Sequence, residues 1–105
     1  MLIWEDLKQI REQYGSEYLL RQMAEECTEL AQAALHLIRV QRKERAGDMD
    51  SAHLDLVEEI ADVKLMIDCI ERTICTIDER DEIHTMIDAK SHRFVERMLG
   101  GEWND

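Results

Sequence analysis

The sequence predicts an all-α protein, and three observations support this fold class. The chain of 105 residues contains no proline, so no position is barred from a helix by the loss of its backbone donor. Its four glycines fall at only three places, Gly15, Gly47 and Gly100-Gly101, where they mark helix boundaries. Between these places the apolar residues recur with helical spacing, and no segment alternates as a half-buried strand does.

Two long apolar series define the central helices. Their members are spaced alternately by four and three residues: Met23, Cys27, Leu30, Ala34 and Leu37 in the first, and Leu56, Ile60, Val63, Ile67, Ile70 and Ile74 in the second. Such series pack one helix against another. With the glycine boundaries, they predict helices near residues 2–14, 16–46, 51–76 and 79–99. A capping box from Thr76 to Glu79 marks the last boundary.

These elements predict a four-helix bundle, with two long antiparallel helices and two shorter ones, in a single domain spanning residues 1–105. The apolar residues of the long helices spread wider than one stripe. Those that lie beside the first series are Leu19, Leu20, Leu35 and Ile38, and those beside the second are Leu65 and Met66. A chain this short buries only about 60–65% of its unfolded surface. We therefore expect a homodimer or a homotetramer.

Composition limits the possible partners and locations. The net charge of −11 argues against nucleic acid or an anionic membrane as the main partner, because both would repel the chain. The longest stretch without a charged residue, 30–38, is nine residues long, whereas a spanning helix needs about 20 apolar residues. An acidic N-terminus is unlike a signal peptide. The three cysteines predict neither a disulfide framework nor a thiolate zinc site, and we expect a cytoplasmic protein.

Two acidic clusters, EECTEL at residues 25–30 and EEIADV at 58–63, stand out from this background. If Cys27 and Ile60 take heptad position a, then Glu26 and Glu59 both take position g. A short connection makes the two helices antiparallel, so the g positions of one helix lie beside the g positions of the other. The sequence thus directs Glu26 and Glu59 towards each other.

Glu29 and Asp62, both at position c, are expected one turn along and just outside. Four carboxylates beside an apolar stripe repel each other, so they are either protonated or hold a cation. Oxygen ligands favour Mg²⁺, with Mn²⁺ as the other possibility. A di-iron bundle would need Glu-x-x-His pairs, which the chain lacks. The alternative interpretation of each cluster is a solvated helix face.

The two clusters resemble the paired ExxE and ExxD motifs of the MazG-like, all-α nucleoside triphosphate pyrophosphohydrolases, over roughly residues 16–99. The resemblance implies Mg²⁺-dependent hydrolysis of a nucleoside or deoxynucleoside triphosphate to the monophosphate and pyrophosphate. It assigns the metal to Glu26 and Glu29 of ExxE and to Glu59 and Asp62 of ExxD. Glu29 and Glu59 are the residues expected to be catalytic, with Glu25 or Glu58 as further candidates for the general base.

The last helix supplies basic residues for the phosphates. Lys90 and Arg93 resemble the downstream Lys-x-x-Arg element of the same family. Lys90 and Arg97 also continue the apolar spacing of Ile83, Ile87 and Phe94, so they either bind triphosphate oxygens or extend along apolar surface to solvent. Two other functions stay open: a non-catalytic adaptor whose acidic face binds a basic partner, and a phosphoribosyl-ATP pyrophosphohydrolase.

Overall fold

The computed structural model describes residues 1–100, which form three helices and no strand. They are α1 (Trp4–Gln41), α2 (Met49–Thr73) and α3 (Ile77–Leu99). The all-α prediction is therefore confirmed. The residues group into two units, Met1–Ile74 and a second that begins at Cys75, and each unit is described by itself.

Helix α1 contains the first boundary that the sequence predicted. Gly15 has φ 83° and ψ 167°, a backbone conformation that essentially only glycine adopts. The chain is non-helical at this residue, and two helical segments meet across it. The predicted helices 2–14 and 16–46 are thus the two segments of α1, which is why the described residues contain three helices rather than four.

The connection from α1 to α2 is short and closely packed. Helix α1 ends at Gln41, earlier than the predicted residue 46, because Lys43 turns into the left-handed region with φ 59°. Gly47 lies against Val40, where an added Cβ would stand 3.2 Å from a valine methyl carbon. The Asp48 side chain then caps α2 by accepting a hydrogen bond of 3.2 Å from the Asp50 N–H.

The main core of the first unit lies at the opposite end of this hairpin. Leu7 is fully buried and packs with Leu19 of α1 and with Cys69 and Ile70 of α2. Leu7 precedes the Gly15 break and Leu19 follows it, so both segments of α1 contribute. Arg72 also holds the N-terminal segment, because its guanidinium donates a 2.7 Å hydrogen bond to the Leu2 carbonyl.

The residues that face each other between α1 and α2 agree with the predicted series at every second position and differ from it at the others. Cys27, Ile60 and Ile67 are exposed, so the prediction that they lie in the helix contact is wrong for the single chain. The contact is made by an inner stripe on each helix, which keeps every second member of the predicted series. The members of the inner stripe are buried or half-buried and spaced alternately by four and three residues. The inner stripe contains Leu19, Met23, Glu26, Leu30, Ala33, Leu37 and Val40 of α1, and Ala52, Leu56, Glu59, Val63, Met66, Ile70 and Thr73 of α2.

The second unit contains α3, and its start follows the predicted capping box. The Glu79 N–H donates to the Thr76 hydroxyl at 3.1 Å, and the Thr76 N–H donates to the Glu79 carboxylate at 2.8 Å. None of the residues of α3 is buried. Within residues 1–100, no helix combines the length and the apolar character needed to cross a bilayer.

Candidate functional site

Three carboxylates converge between α1 and α2. One carboxylate oxygen from each of Glu26, Glu29 and Glu59 lies within 4.8 Å of the other two. Glu26 and Glu59 belong to the inner stripes, so packing of the two helices directs them at each other. Glu29 lies one turn after Glu26 on α1 and completes the group from the solvent side. The structure thus brings together three of the four acids that the sequence singled out.

The two inner carboxylates are partly removed from water, and one oxygen of each has no hydrogen-bond partner within residues 1–100. Glu26 and Glu59 are half-buried, whereas Glu29 is exposed. The Oε2 atoms of Glu26 and Glu59 are shielded from solvent and have no hydrogen-bond partner among the described residues. Unpaired shielded carboxylate oxygens are unfavourable, because the lost hydration is not replaced.

The surroundings raise the pKa of both inner carboxyl groups. For Glu26 and for Glu59 the main cause is desolvation, and the next is the negative charge of Glu29. Asp62 raises the pKa of both groups further, which places its charge close to the cluster although it is not a member of the compact group of three. The site therefore favours either a bound proton or a cation.

The solvent side of this cluster is open. Glu25 and Glu29 line a surface hollow of about 390 Å³ on α1, together with Ala24, Thr28 and Gln32. Glu58, the other candidate for the general base, precedes Glu59 and is exposed. The cluster therefore has inner carboxylates that pack between the helices and outer carboxylates that water and solutes reach.

The three basic residues predicted to bind phosphate lie together on α3. Lys90, Arg93 and Arg97 surround a hollow of about 420 Å³ with Phe94. All three are exposed, as α3 buries none of its residues. This arrangement gathers positive charge around one aromatic ring in the second unit.

A further hollow, not predicted from the sequence, lies in the first unit at the end of the hairpin. It has a volume of about 360 Å³ and is lined by Trp4, Lys8, Arg11, Glu12, Arg72 and Thr73. The spacing of Trp4, Lys8 and Arg11 places them on one face of the first segment of α1. That spacing is the signal that could have predicted this hollow.

The acidic cluster offers donor atoms of one chemical kind. Its donors are all carboxylate oxygens, it contains no imidazole or thiolate, and two of its oxygens lack any hydrogen-bond donor. Mg²⁺ and Mn²⁺ prefer this donor set, and a cation would supply the missing partner. No family model, no curated protein and no solved structure matches the chain.

Proposed function

We propose that the protein is a metal-dependent hydrolase that converts a nucleoside or deoxynucleoside triphosphate into the monophosphate and pyrophosphate. The observation that carries the proposal is the convergence of Glu26, Glu29 and Glu59, with solvent-shielded and unpaired oxygens on two of them. Acidic residues are common on helix surfaces, but a solvated face would keep its oxygens hydrated. The inward position of Glu26 and Glu59 supports a binding role.

In this proposal Glu26, Glu29, Glu59 and Asp62 hold Mg²⁺, or Mn²⁺ in its place. The cation would offset the repulsion between the carboxylates and a triphosphate, polarise the phosphoryl oxygens and lower the pKa of bound water. Glu29 is exposed beside the inner pair and would accept the proton of the attacking water as general base. Glu59 would both bind the metal and orient Glu29.

Lys90, Arg93 and Arg97 complete the proposal as phosphate-binding residues. Their grouping on α3 suits an anion with several charged oxygens. They would neutralise charge on the leaving pyrophosphate, an interaction that strengthens as that charge develops. Replacing Arg93 by alanine is therefore expected to lower kcat/KM while leaving metal binding unchanged.

We also propose that the active protein is a homodimer or a homotetramer. An outer apolar face, formed by Leu20, Cys27 and Ile38 of α1 and by Ile60 and Ile67 of α2, is exposed on the hairpin. Successive residues of a helix are about 100° apart, which places this face roughly a quarter-turn from the inner stripe on each helix. Because the helices are antiparallel, the two parts of the face lie on the same side of the hairpin. Association of copies through this face would bury it.

The experiment that tests the activity is a panel of ribonucleoside and deoxyribonucleoside triphosphates with Mg²⁺, in which pyrophosphate and orthophosphate are measured separately. We expect pyrophosphate and monophosphate as products. The Glu59→Gln and Glu29→Gln variants should lose turnover while retaining the wild-type helical circular dichroism spectrum. Asp55→Asn, an exposed change on α2 outside the cluster, is the matched control and should retain activity.

A second measurement separates this proposal from the adaptor interpretation. Added Mg²⁺ or Mn²⁺ should raise the melting temperature of the wild-type protein, because a ligand that binds the folded state stabilises it. The same addition should leave the melting temperature of Glu59→Gln nearly unchanged. Orthophosphate as the sole product would contradict the proposed reaction, and absence of both hydrolysis and metal stabilisation would favour an adaptor.

A further inference from the structure

The hollow at the end of the hairpin concentrates positive charge in an acidic protein. Three of its lining residues, Lys8, Arg11 and Arg72, are cationic, and Glu12 is the single carboxylate among them. The whole chain carries a net charge of −11. The Arg72 charge is offset by the Asp68 carboxylate, 3.2 Å away, so the excess of positive charge comes from Lys8 and Arg11 against Glu12. This excess favours an anion and acts locally against the repulsion from the rest of the molecule.

Two of these cations are available to a ligand. Arg72 is already engaged, since its guanidinium contacts the Leu2 carbonyl at 2.7 Å and the Asp68 carboxylate at 3.2 Å. Among residues 1–100, neither Lys8 nor Arg11 forms an ion pair or a hydrogen bond. They lie three residues apart on the same helix face, a separation at which two side chains can bind one phosphate group.

The same hollow offers an aromatic surface. The Trp4 side chain lines it and is half exposed, so a planar ring can stack on the indole. The aliphatic parts of the lysine and arginine side chains make the remaining walls mainly apolar. A volume of about 360 Å³ lies at the small end of the range for ligand pockets. The hollow thus fits a compact ligand that carries both a flat ring and a negative group.

We propose that this hollow binds a nucleoside monophosphate, with the base on the Trp4 indole and the phosphate between Lys8 and Arg11. The Glu12 carboxylate disfavours ligands with more negative charge, so a monophosphate is preferred to a triphosphate. Thr73 lies fourteen residues after Glu59 on α2, which corresponds to about 21 Å along the helix. The hollow is therefore a separate site from the acidic cluster, and its occupancy does not depend on the proposed hydrolysis.

Occupancy of this site is measured by the fluorescence of Trp4 itself. The chain has two tryptophans, and Trp103 lies outside the described residues, so the Trp103→Phe protein provides a single reporter. Adenosine monophosphate is titrated in the presence of EDTA, which removes divalent metal. We expect saturable quenching by adenosine monophosphate. Adenosine lacks the phosphate and inorganic phosphate lacks the base, so each should bind more weakly by about tenfold or more.

Substitutions then assign the binding to the hollow. Lys8→Ala and Arg11→Ala, each exposed, should weaken the binding of adenosine monophosphate by about tenfold or more, since each removes a charge-assisted contact. Lys64→Ala, an exposed lysine of α2 outside the hollow, is the matched control and should bind as the parent does. Circular dichroism checks that all variants are folded. If Lys8→Ala does not fold, the Lys8→Gln variant is measured in its place.

Several results would overturn the proposal: no saturable quenching at millimolar nucleotide, equal affinity in the Lys8→Ala and Arg11→Ala variants, or inorganic phosphate binding as tightly as the nucleotide. Triphosphate hydrolysis is assayed separately on the same proteins. Loss of nucleotide binding with intact hydrolysis would refute only this second site. Intact binding without hydrolysis would refute only the reaction proposed for the acidic cluster.

Discussion

Glu26 and Glu59 are the residues whose positions are hardest to explain by folding alone. Each occupies an inner-stripe position where its neighbours on the helix, such as Met23, Leu30 and Val63, are apolar. An apolar side chain at either position would avoid the loss of hydration and the repulsion from Glu29. Carboxylates placed there therefore oppose folding in the absence of a cation, which supports the role proposed for them.

The unfavourable burial of the Glu26 and Glu59 carboxylates predicts that the stability of the metal-free protein depends on pH. The pKa of Glu26 and of Glu59 is raised above the ordinary 4.5, so between 4.5 and the raised value the folded state binds more protons than the unfolded state. The free energy of unfolding should consequently decrease as the pH rises through that window, and increase as the pH falls through it. Thermal melts in EDTA at a series of pH values from 7 down to 4.5 measure this slope.

The Glu59→Gln variant tests the origin of the slope. Removing one charge relieves repulsion with Glu29 and Asp62, so the variant should melt at a higher temperature than wild type at pH 7, with a shallower pH dependence. Asp55→Asn removes a charge from the same helix outside the cluster and should keep the wild-type slope. A Glu59→Gln protein with the wild-type melting temperature and slope would show that the repulsion is absent in solution.

At the scale of the helices, the Gly15 break determines where the two segments of α1 pack. The first segment packs Leu7 into the core at the end of the hairpin, and the second segment carries the acidic residues along α2. An uninterrupted helix would carry Leu7 past the end of α2 instead. The break therefore allows a single helical stretch to contribute to the core, to the acidic cluster and to the hollow beside Trp4.

Gly15→Ala is expected to destabilise the protein by about 1–3 kcal/mol, because its φ of 83° and ψ of 167° suit glycine alone. An added Cβ would meet no atom within 4 Å, so the cost comes from the backbone and not from a clash. Urea unfolding followed by circular dichroism measures the change. Gln13→Ala, an exposed substitution in the preceding turn, should change stability by no more than about 0.5 kcal/mol.

The helices illustrate what the sequence could and could not predict. Gly15 and the Thr76–Glu79 capping box depend on local chemistry, and both are found where the sequence placed them. The inward face of α1 depends on packing, because both the stripe through Cys27 and the stripe through Glu26 have helical spacing. The two stripes share Met23, Leu30 and Leu37. Apolar content favoured Cys27 between them, yet the single chain packs Glu26 there. The approach of Glu26 to Glu59 was nevertheless predicted, since adjacent stripes share the same antiparallel pairing.

At the scale of the whole molecule, the α1–α2 hairpin has two chemically different sides. The outer apolar face lies on one side of the inner stripe. Helical geometry places Glu25, Glu29, Glu58 and Asp62 roughly a quarter-turn away in the opposite direction. Contact between copies through the apolar side would thus leave the carboxylate side open to substrate.

Ile60→Asp is expected to convert the proposed oligomer into a monomer, because it places a charge on the outer apolar face. Light scattering during size-exclusion chromatography measures the mass. Alkylation followed by peptide mass spectrometry gives a second readout: Cys27 should react faster in the variant, since its thiol lies on the same face, whereas Cys69 stays buried in both proteins.

Leu65→Asp provides the matched control for this prediction. Leu65 is an exposed apolar residue of α2, but helical geometry places it away from the outer apolar face. The control should keep the mass and the Cys27 reactivity of the wild type. A wild-type protein that is already monomeric at micromolar concentration would contradict the proposed association.

The separation of the two sides of the hairpin also makes the protein suitable for modular engineering. Substitutions that strengthen or abolish the proposed self-assembly can be made on one side without touching the carboxylates. Conversely, the proposed metal preference could be retuned by replacing acids with other donors while the outer apolar face stays intact. A library that randomises each side separately would therefore explore assembly and chemistry as two independent design variables on one pair of helices.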